Sequence, residues 1–385
     1  MNILLDFLPF QHAGGIGGHS SFTMKVTTDI LAYGVTNHHF FAVYDSKKGY
    51  RLRHDFLSFA HQHNIQLVDL SQFKLDEIIN RYQIDVFFIA IGQLYQDYDL
   101  KGITCKTIMF IHDIFDVERC DNKIDSIIYD PKKEGRWEQF KRLINLYSGR
   151  WNRQVHKSYQ SIMPLYGSDT TIAFTVSNYT RQAIYYHFPQ IKKDIRICFS
   201  PLKYVEQHDI IENEQLRHLI ESRHPFLLMI AANRKYKNPQ IITKVFPRLK
   251  KEYPDLHLLT LKYGKSIQPG HIDIDYLSDS DLEHAYQKAT ALVFASFFEG
   301  FGYPPVEAMK YGTPTIASNV TSIPEILGDA AIYFSPIYPA DFYRAAKCVL
   351  DQQVNLQVSM AQRYEFIKKC QIEGEQELIR LIFNS

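Results

Sequence analysis

Glu299 and Glu307 stand eight positions apart in the run Phe298-Glu299-Gly300-Phe301-Gly302-Tyr303-Pro304-Pro305-Val306-Glu307, behind the apolar stretch 291–295. Carboxylates accept hydrogen bonds from hydroxyls, so the pair suits a polyol. Gly300 and Gly302 leave backbone N–H groups open to a ligand. Proline is tolerated in the first helical turn, so a helix is expected to begin near Pro304 or Pro305 and to stop at Gly312. A helix N-terminus favours an anion. A ligand with sugar hydroxyls at one end and phosphate at the other meets each of these features.

Other groups follow the ends of apolar runs. Gly14-Gly15-Ile16-Gly17-Gly18 comes after the first run, where glycines let backbone approach a phosphate. It departs from the dinucleotide fingerprint, because counting from Gly15 the third glycine position is Ser20; the bland alternative is a flexible turn. Ile111-His112-Asp113 closes another run. A lone histidine is more often structural than functional, and Asp113 reads as a capping or supporting residue. Asn233-Arg234-Lys235-Tyr236-Lys237-Asn238 follows the run 226–231. Cations held there would receive charge growing on a departing diphosphate; otherwise the segment is a solvated basic loop. Asp273-Ile274-Asp275 and Asp279-Ser280-Asp281 have a metal-ligand spacing. They read instead as a strand edge and as the start of a helix at 281–289 capped by Ser278 or Asp279. Gly264-Lys265-Ser266 fails as a phosphate loop, since Leu259 stands where its first glycine is needed.

The run Glu299 to Glu307, with Gly312-Thr313-Pro314, Ser322-Ile323-Pro324-Glu325 and Gly328-Asp329-Ala330-Ala331, resembles the donor site of retaining GT-B glycosyltransferases. The resemblance is strongest to the family 4 type, glycosyl transferases group 1, and within it to bacterial surface-polysaccharide enzymes, many of which use GDP-mannose. It covers residues 225–340 closely and the N-terminal half weakly. It implies an α/β protein of two Rossmann-like domains facing across a cleft, with the last helix crossing back to the first domain. It also implies roles. Glu299, with Gly300, Phe301, Gly302 and Tyr303 beside it, would hold the sugar, and Glu307 the ribose. Lys237 and Arg234 would neutralise the diphosphate; Arg234 is the substitute, because the family's first basic residue is shifted in this chain. Backbone at Leu277 would meet the nucleobase, Gly15 and Gly17 would shape the phosphate and acceptor side, and His112 would assist at the reacting sugar. The catalytic set is then His112, Glu299, Lys237 and Arg234.

The same resemblance implies transfer of a hexose or deoxyhexose from a GDP- or UDP-linked donor to a glycan or lipid-linked glycan acceptor. Configuration is retained, and no metal or other cofactor takes part. No carboxylate of the second half stands out as a covalent nucleophile, which favours front-face displacement. Two rivals use the same features: a nucleotide-sugar epimerase that needs no acceptor, and a non-catalytic subunit of another transferase.

The 385 residues suffice for two domains. A net charge of +1 gives no global field for nucleic acid, and no nucleic-acid partner is expected. Five cysteines without a Cys-x-x-Cys pair read as reduced thiols, and the start Met1-Asn2-Ile3-Leu4-Leu5-Asp6 lacks signal-peptide features. A cytoplasmic protein, peripheral to the inner face of the membrane at most, is expected.

The elements that must position these groups alternate. Strands are expected at 3–8, 39–43, 85–91, 107–111, 171–176, 226–231, 256–261, 291–295 and 315–317, with helical stretches between most of them. That alternation argues for parallel sheets covered by helices. It runs twice, giving domains over 1–200 and 201–363 and a closing helix over 364–385. Residues 132–157 hold Lys132, Lys133, Arg136, Lys141, Arg142, Arg150, Arg153 and Lys157, interleaved with Trp137, Phe140, Ile144, Tyr147 and Trp151 at helical spacing. This is either a core helix with a basic outer face or an acceptor-side or membrane-facing surface, fitting a lipid-linked glycan acceptor. Gly149 interrupts it.

Overall fold

The computed structural model describes residues 1–12, 18–34, 38–48, 52–121, 136–201, 209–266 and 268–384. The chain divides into two compact units. The first takes its described residues from 1–122, 141–203 and 369–385, the second from 123–140 and 204–368.

The first unit is built on seven parallel strands in the order β3-β2-β1-β4-β5-β6-β7. They are β1 (Asn2–Asp6), β2 (His39–Tyr44), β3 (Gln66–Asp69), β4 (Val86–Ile89), β5 (Lys106–Ile111), β6 (Thr171–Thr175) and β7 (Arg196–Ile197). The central strands are buried on both faces, which is why their sequences are continuous apolar runs rather than alternating ones. The chain leaves the first strand two residues earlier than expected. Leu8–Gln11 is a helical turn, held to the strand end by Leu8 N–H donating to Asp6 Oδ1 at 3.1 Å. The closing helix is longer than expected, Gln357–Phe383, and its residues from 369 onward belong to the first unit. There Gly374 lies against Cys198, where an added Cβ would meet the sulfur at 2.9 Å, so glycine permits the close approach. Gln371 donates to Ser200 O at 2.6 Å, Lys25 pairs with Glu375 at 3.2 Å, and Arg196 pairs with Glu377.

The second unit holds six parallel strands in the order β10-β9-β8-β11-β12-β13. These are β8 (Phe226–Met229), β9 (His257–Leu261), β10 (His271–Ile274), β11 (Ala291–Phe294), β12 (Thr315–Ser318) and β13 (Ala331–Phe334). Strand side chains alternate between faces. Leu227, Met229, Leu258 and Val293 pack under helices Pro239–Glu252 and Pro339–Leu350. Phe226, Leu228, Leu259 and Leu292 pack under helices Glu214–Glu221 and Asp279–Lys288. Each such fully buried side chain contributes about 1.5–3 kcal/mol. Helix Asp279–Lys288 begins two residues before the expected start, and Ser278 caps it, its Oγ accepting from Asp281 N–H at 3.1 Å.

The basic stretch forms two helices, Arg136–Tyr147 and Arg150–Tyr166, divided at Gly149, whose φ of 65° suits glycine. The second helix is anchored in the core by Tyr159, Ile162, Met163 and Tyr166. The first exposes Trp137, Phe140, Ile144 and Tyr147, so the core-helix alternative fails for it. Trp151 leaves the stripe and lies under the Arg119 guanidinium, 4.3 Å from ring centre to cation. Lys132 and Lys133 lie outside the described residues. Among the described residues, no helix is long and apolar enough to cross a membrane.

Candidate active site

Both sheets change direction of strand order once, between β1 and β4 in the first and between β8 and β11 in the second. In open parallel sheets, ligands bind beyond the carboxyl ends of the strands at such a point. The second unit brings two of the expected residues together there. Lys237 comes from the segment after β8 and Glu299 from the segment after β11. Lys237 Nζ meets Glu299 Oε1 at 2.5 Å, with the two side chains only 9% and 13% exposed. Ser296 Oγ donates to the same oxygen at 2.6 Å. Oε2 of Glu299 carries no hydrogen bond from a described residue, and an ammonium has three donors, so each group keeps capacity for a ligand. Lys237 Nζ also sits 4.7 Å from the centre of the Phe294 ring.

The backbone around Glu299 is braced from the neighbouring strand end. Thr321 Oγ1 accepts from Glu299 N–H at 3.1 Å, and Ser322 Oγ donates to Glu299 O at 2.8 Å. Ser318 Oγ donates to Ser296 O at 2.5 Å. Phe297 N–H donates to Tyr236 O at 2.8 Å and so ties the glutamate loop to the lysine turn Lys235–Lys237. Asn238, at φ 56°, ends that turn and anchors it through Nδ2 to Pro336 O at 2.8 Å. Ser296, Thr321 and Ser322 have no role in the sequence reading. The signal was present in Ser322, which belongs to the Ser-Ile-Pro-Glu run that carries the resemblance.

Gly302 has φ 101°, and a Cβ there would also press on the Phe294 ring at 3.3 Å, so only glycine turns the chain freely into helix Tyr303–Met309. Gly300 lies in the turn before it, Phe301 is buried, and Tyr303 opens the helix with Pro304 and Pro305 behind it. Glu307 is on this helix, where its Oε2 accepts from Tyr286 OH at 2.5 Å. Burial and then the Glu307 charge hold the Tyr286 hydroxyl well above its usual range, so it stays a donor that fixes the carboxylate.

Arg234 is exposed and donates from Nη1 to Tyr236 OH at 3.1 Å; its carbonyl accepts from Lys237 N–H at 3.0 Å, but its guanidinium is turned to Tyr236 and not to Glu299. Leu277 is buried in the core beside Ile274 and Tyr286. Asp273 accepts from Thr260 Oγ1, Tyr263 N–H and Gly264 N–H, and Asp281 from Glu212 N–H and Asn213 N–H, which gives both carboxylates a structural task.

His112 belongs to the first unit and follows β5. It is buried, and its Nε2 lies 3.1 Å from Ala90 O. A carbonyl only accepts, so Nε2 carries the proton and Nδ1 the lone pair. Burial foremost, with His19 nearby, holds the imidazole well below its usual pKa. It is therefore a neutral acceptor for a hydroxyl, not a cation. Asp6, at the end of β1, has no role in the sequence reading. It is fully buried, and it accepts from Leu8 N–H, Ala90 N–H, Ile91 N–H and Tyr95 OH at 2.9–3.2 Å. Ala90 thus donates its N–H to Asp6 and accepts at its carbonyl from His112. An acid inside the apolar run Ile-Leu-Leu-Asp-Phe-Leu was the available signal, since a buried carboxyl needs partners. Gly15 and Gly17 lie outside the described residues.

Residues 211–365, which span the whole of this lysine and glutamate arrangement, match the family described as Glycosyl transferases group 1. These residues are a group 1 glycosyltransferase domain. Over 63 residues (16% of this chain and 16% of the relative) the sequence is 48% identical to O-antigen chain mannosyltransferase B of Escherichia coli. Over 165 residues (39% and 46%) it is 29% identical to O-antigen chain mannosyltransferase RfbU of Salmonella typhimurium. The matched stretches therefore span less than half the length of these relatives. Among solved structures, WaaG, a glycosyltransferase involved in lipopolysaccharide biosynthesis, aligns over 100% of both chains with TM-score 0.63 at 14% identity. At that identity the likeness concerns the fold, and the chain that carries the group 1 domain has the two Rossmann-like units of GT-B proteins.

Proposed function

We propose that the protein is a hexosyltransferase that moves a sugar, mannose first among candidates, from a nucleotide donor to a glycan or lipid-linked glycan acceptor of a surface polysaccharide. The Lys237–Glu299 pair at the strand-order reversal carries this reading. In it, Glu299 Oε2 and the Gly300–Gly302 backbone hold sugar hydroxyls, Glu307 holds the ribose, and the remaining Lys237 donors receive the departing diphosphate. His112 Nδ1 accepts from a sugar hydroxyl. Arg234 is a peripheral second cation that reaches the diphosphate only by leaving Tyr236. The mannosyltransferase relatives support the sugar, and a GDP- or UDP-linked donor with retention of configuration and no metal completes the proposal. Orientation and charge stabilisation supply the acceleration.

A melting-point panel with GDP-, UDP- and dTDP-sugars tests the donor, because a ligand of the native state raises the transition. Release of nucleoside diphosphate that depends on a glycan acceptor, and that survives a metal chelator, is the expected result. Conversion of donor without acceptor would instead indicate an epimerase, and loss of activity on chelation would refute the metal-free reading.

Glu307→Gln is expected to raise the donor KM about tenfold, the scale of a charge-assisted hydrogen bond exchanged for a neutral one. Tyr286→Phe should give a smaller rise in the same parameter. An unchanged donor KM in both variants would remove Glu307 from the ribose.

The exposed stripe Trp137, Phe140, Ile144 and Tyr147, with exposed Lys141, Arg150 and Arg153 near it, suits an anionic membrane surface on the cytoplasmic side. Co-sedimentation with vesicles containing phosphatidylserine should fall sharply in Trp137→Glu/Phe140→Glu, with transfer to a water-soluble acceptor retained. Equal sedimentation of both proteins would exclude the surface.

A further inference from the structure

Asp6 ends β1 and His112 follows the end of β5, with β4 lying between those two strands. One peptide group, between Ala90 and Ile91 just past β4, joins them. Its N–H, on Ile91, donates to Asp6 Oδ2 at 3.2 Å, and its carbonyl, on Ala90, accepts from His112 Nε2–H at 3.1 Å. The preceding N–H, on Ala90, donates to the same Oδ2 at 3.1 Å. Two consecutive N–H groups on one oxygen fix this stretch of backbone, and with it the direction of the Ala90 carbonyl. Phe22 stands edge-on to the imidazole, ring centres 4.5 Å apart, and Thr180 Oγ1 donates to His112 O at 3.3 Å. With Nε2–H committed, Nδ1 holds the lone pair and carries no hydrogen bond from a described residue.

A carboxylate that accepts from an amide N–H makes the oxygen of that amide a stronger acceptor, because hydrogen bonds in a chain polarise one another. A stronger acceptor at Ala90 O holds the proton on Nε2 more firmly and leaves more electron density at Nδ1. A neutral carboxyl accepts more weakly and does less. We propose that Asp6 is a positioning residue for His112: through the Ala90–Ile91 peptide its charge fixes the Nε2–H tautomer and strengthens Nδ1 as an acceptor. The proposal rests on the transferase reading for what Nδ1 then does to a sugar hydroxyl, but the coupling between the two side chains does not.

Burial, only partly offset by the bonds it accepts, pushes the Asp6 carboxyl up to about 7, so the unmodified protein supplies both charge states. His112 stays neutral through that range, because burial holds it well below its usual pKa. Among the described residues, Tyr95 is the one titratable side chain bonded to Asp6, and burial holds its hydroxyl well above the usual range. Beyond it lie Tyr98 and Asp45, bonded to each other at 2.6 Å. Beside His112 are His19, ring centres 5.5 Å apart, and then His12, 6.0 Å from His19; Asp113, next in the chain, accepts from Phe115 N–H at 3.0 Å.

The intact protein, isotope-labelled at histidine nitrogen, is titrated from about pH 5 to about pH 8.5, and the His112 ring nitrogens are followed by NMR. They should keep the Nε2–H signature throughout and shift in one step near pH 7. The step should vanish in Asp6→Asn, which keeps an acceptor for Ile91 N–H but no charge. It should move to higher pH in Tyr95→Phe, which removes a bond that favours the carboxylate. In transfer assays the ratio of parent kcat to Asp6→Asn kcat should be near one at about pH 5.5 and about tenfold by about pH 8.5, the scale of a charge-assisted bond exchanged for a neutral one. A role confined to packing would give the same ratio at every pH. Such a constant ratio, a parent protein without the step, or a step that persists in Asp6→Asn and so belongs to His19 or His12, would overturn the proposal. The coupling seen by NMR in a protein that transfers no sugar would overturn the transferase reading and leave the coupling standing.

Discussion

Lys237→Ala should lower turnover at saturating donor by about 10²–10³, the cost of removing one preorganised charge from a site where negative charge develops. The loss should fall on kcat more than on donor KM, because charge on the leaving phosphate grows toward the transition state. The ground-state structure adds a second expectation. Lys237 is bound to Glu299 at 2.5 Å in a nearly closed setting, so its removal leaves a poorly solvated carboxylate with only Ser296 as a partner among the described residues. Removing one member of a buried pair costs about 3–5 kcal/mol, and the modest exposure here places the effect toward the lower end. The Lys237→Met/Glu299→Gln double variant separates the two effects. It should recover much of the melting temperature and none of the turnover. Full activity in Lys237→Ala would remove this residue from the leaving-group side.

Asp6→Asn should change the pH dependence of stability of the first unit. Burial, opposed by hydrogen bonds from Tyr95 and three backbone N–H groups, raises the Asp6 pKa to about 7 from 3.8. A carboxyl raised on folding binds its proton more tightly in the native state, so its contribution to stability declines as pH rises from about 4 to 7. The full difference is on the order of 4 kcal/mol. The amide resembles the protonated acid. It can accept from Ala90 and Ile91 while Tyr95 turns to accept from its NH₂, and only the Leu8 N–H loses its acceptor, at about 1–3 kcal/mol. The variant should therefore be less stable than the parent near pH 5, and the gap should close or reverse by pH 8. Urea unfolding of both proteins across that range measures it. Parallel curves would show that Asp6 stays ionised throughout.

The parts of the fold that were legible are those in which local chemistry agrees with the final packing. The apolar runs that became β5, β6, β9 and β11 are buried along nearly their whole length, so no solvent-facing residue blurs them. Strand β7 has two residues, and β3 opens on the exposed Gln66; neither gives a periodic signal, and both exist because a neighbour supplies their hydrogen bonds. The first strand reads through Leu8 in sequence because Phe7 and Leu8 are apolar, whereas the Asp6 carboxylate turns the chain at that point.

The site was legible as a set of residue types and less so as a geometry. Glu299 and Glu307 announced themselves by spacing within one glycine-rich run. The union of Glu299 with Lys237 joins positions 62 apart in sequence, and only strand order brings them together. Arg234 stands close to Lys237 in sequence, yet the tight turn between them points it at Tyr236. Asp6 and the serines that steady Glu299 are second partners of residues already noticed, and sequence gives such partners little signal of their own.

The internal ion pair also bears on how a donor arrives. With the Lys237 ammonium already neutralised by Glu299, that pair projects little field into solvent, and long-range attraction of a polyanion falls to the exposed Arg234 and Lys235 on the same turn. Salt should then screen the approach through those two exposed cations, while the tightness of the final complex depends on how readily the incoming phosphates exchange places with the carboxylate.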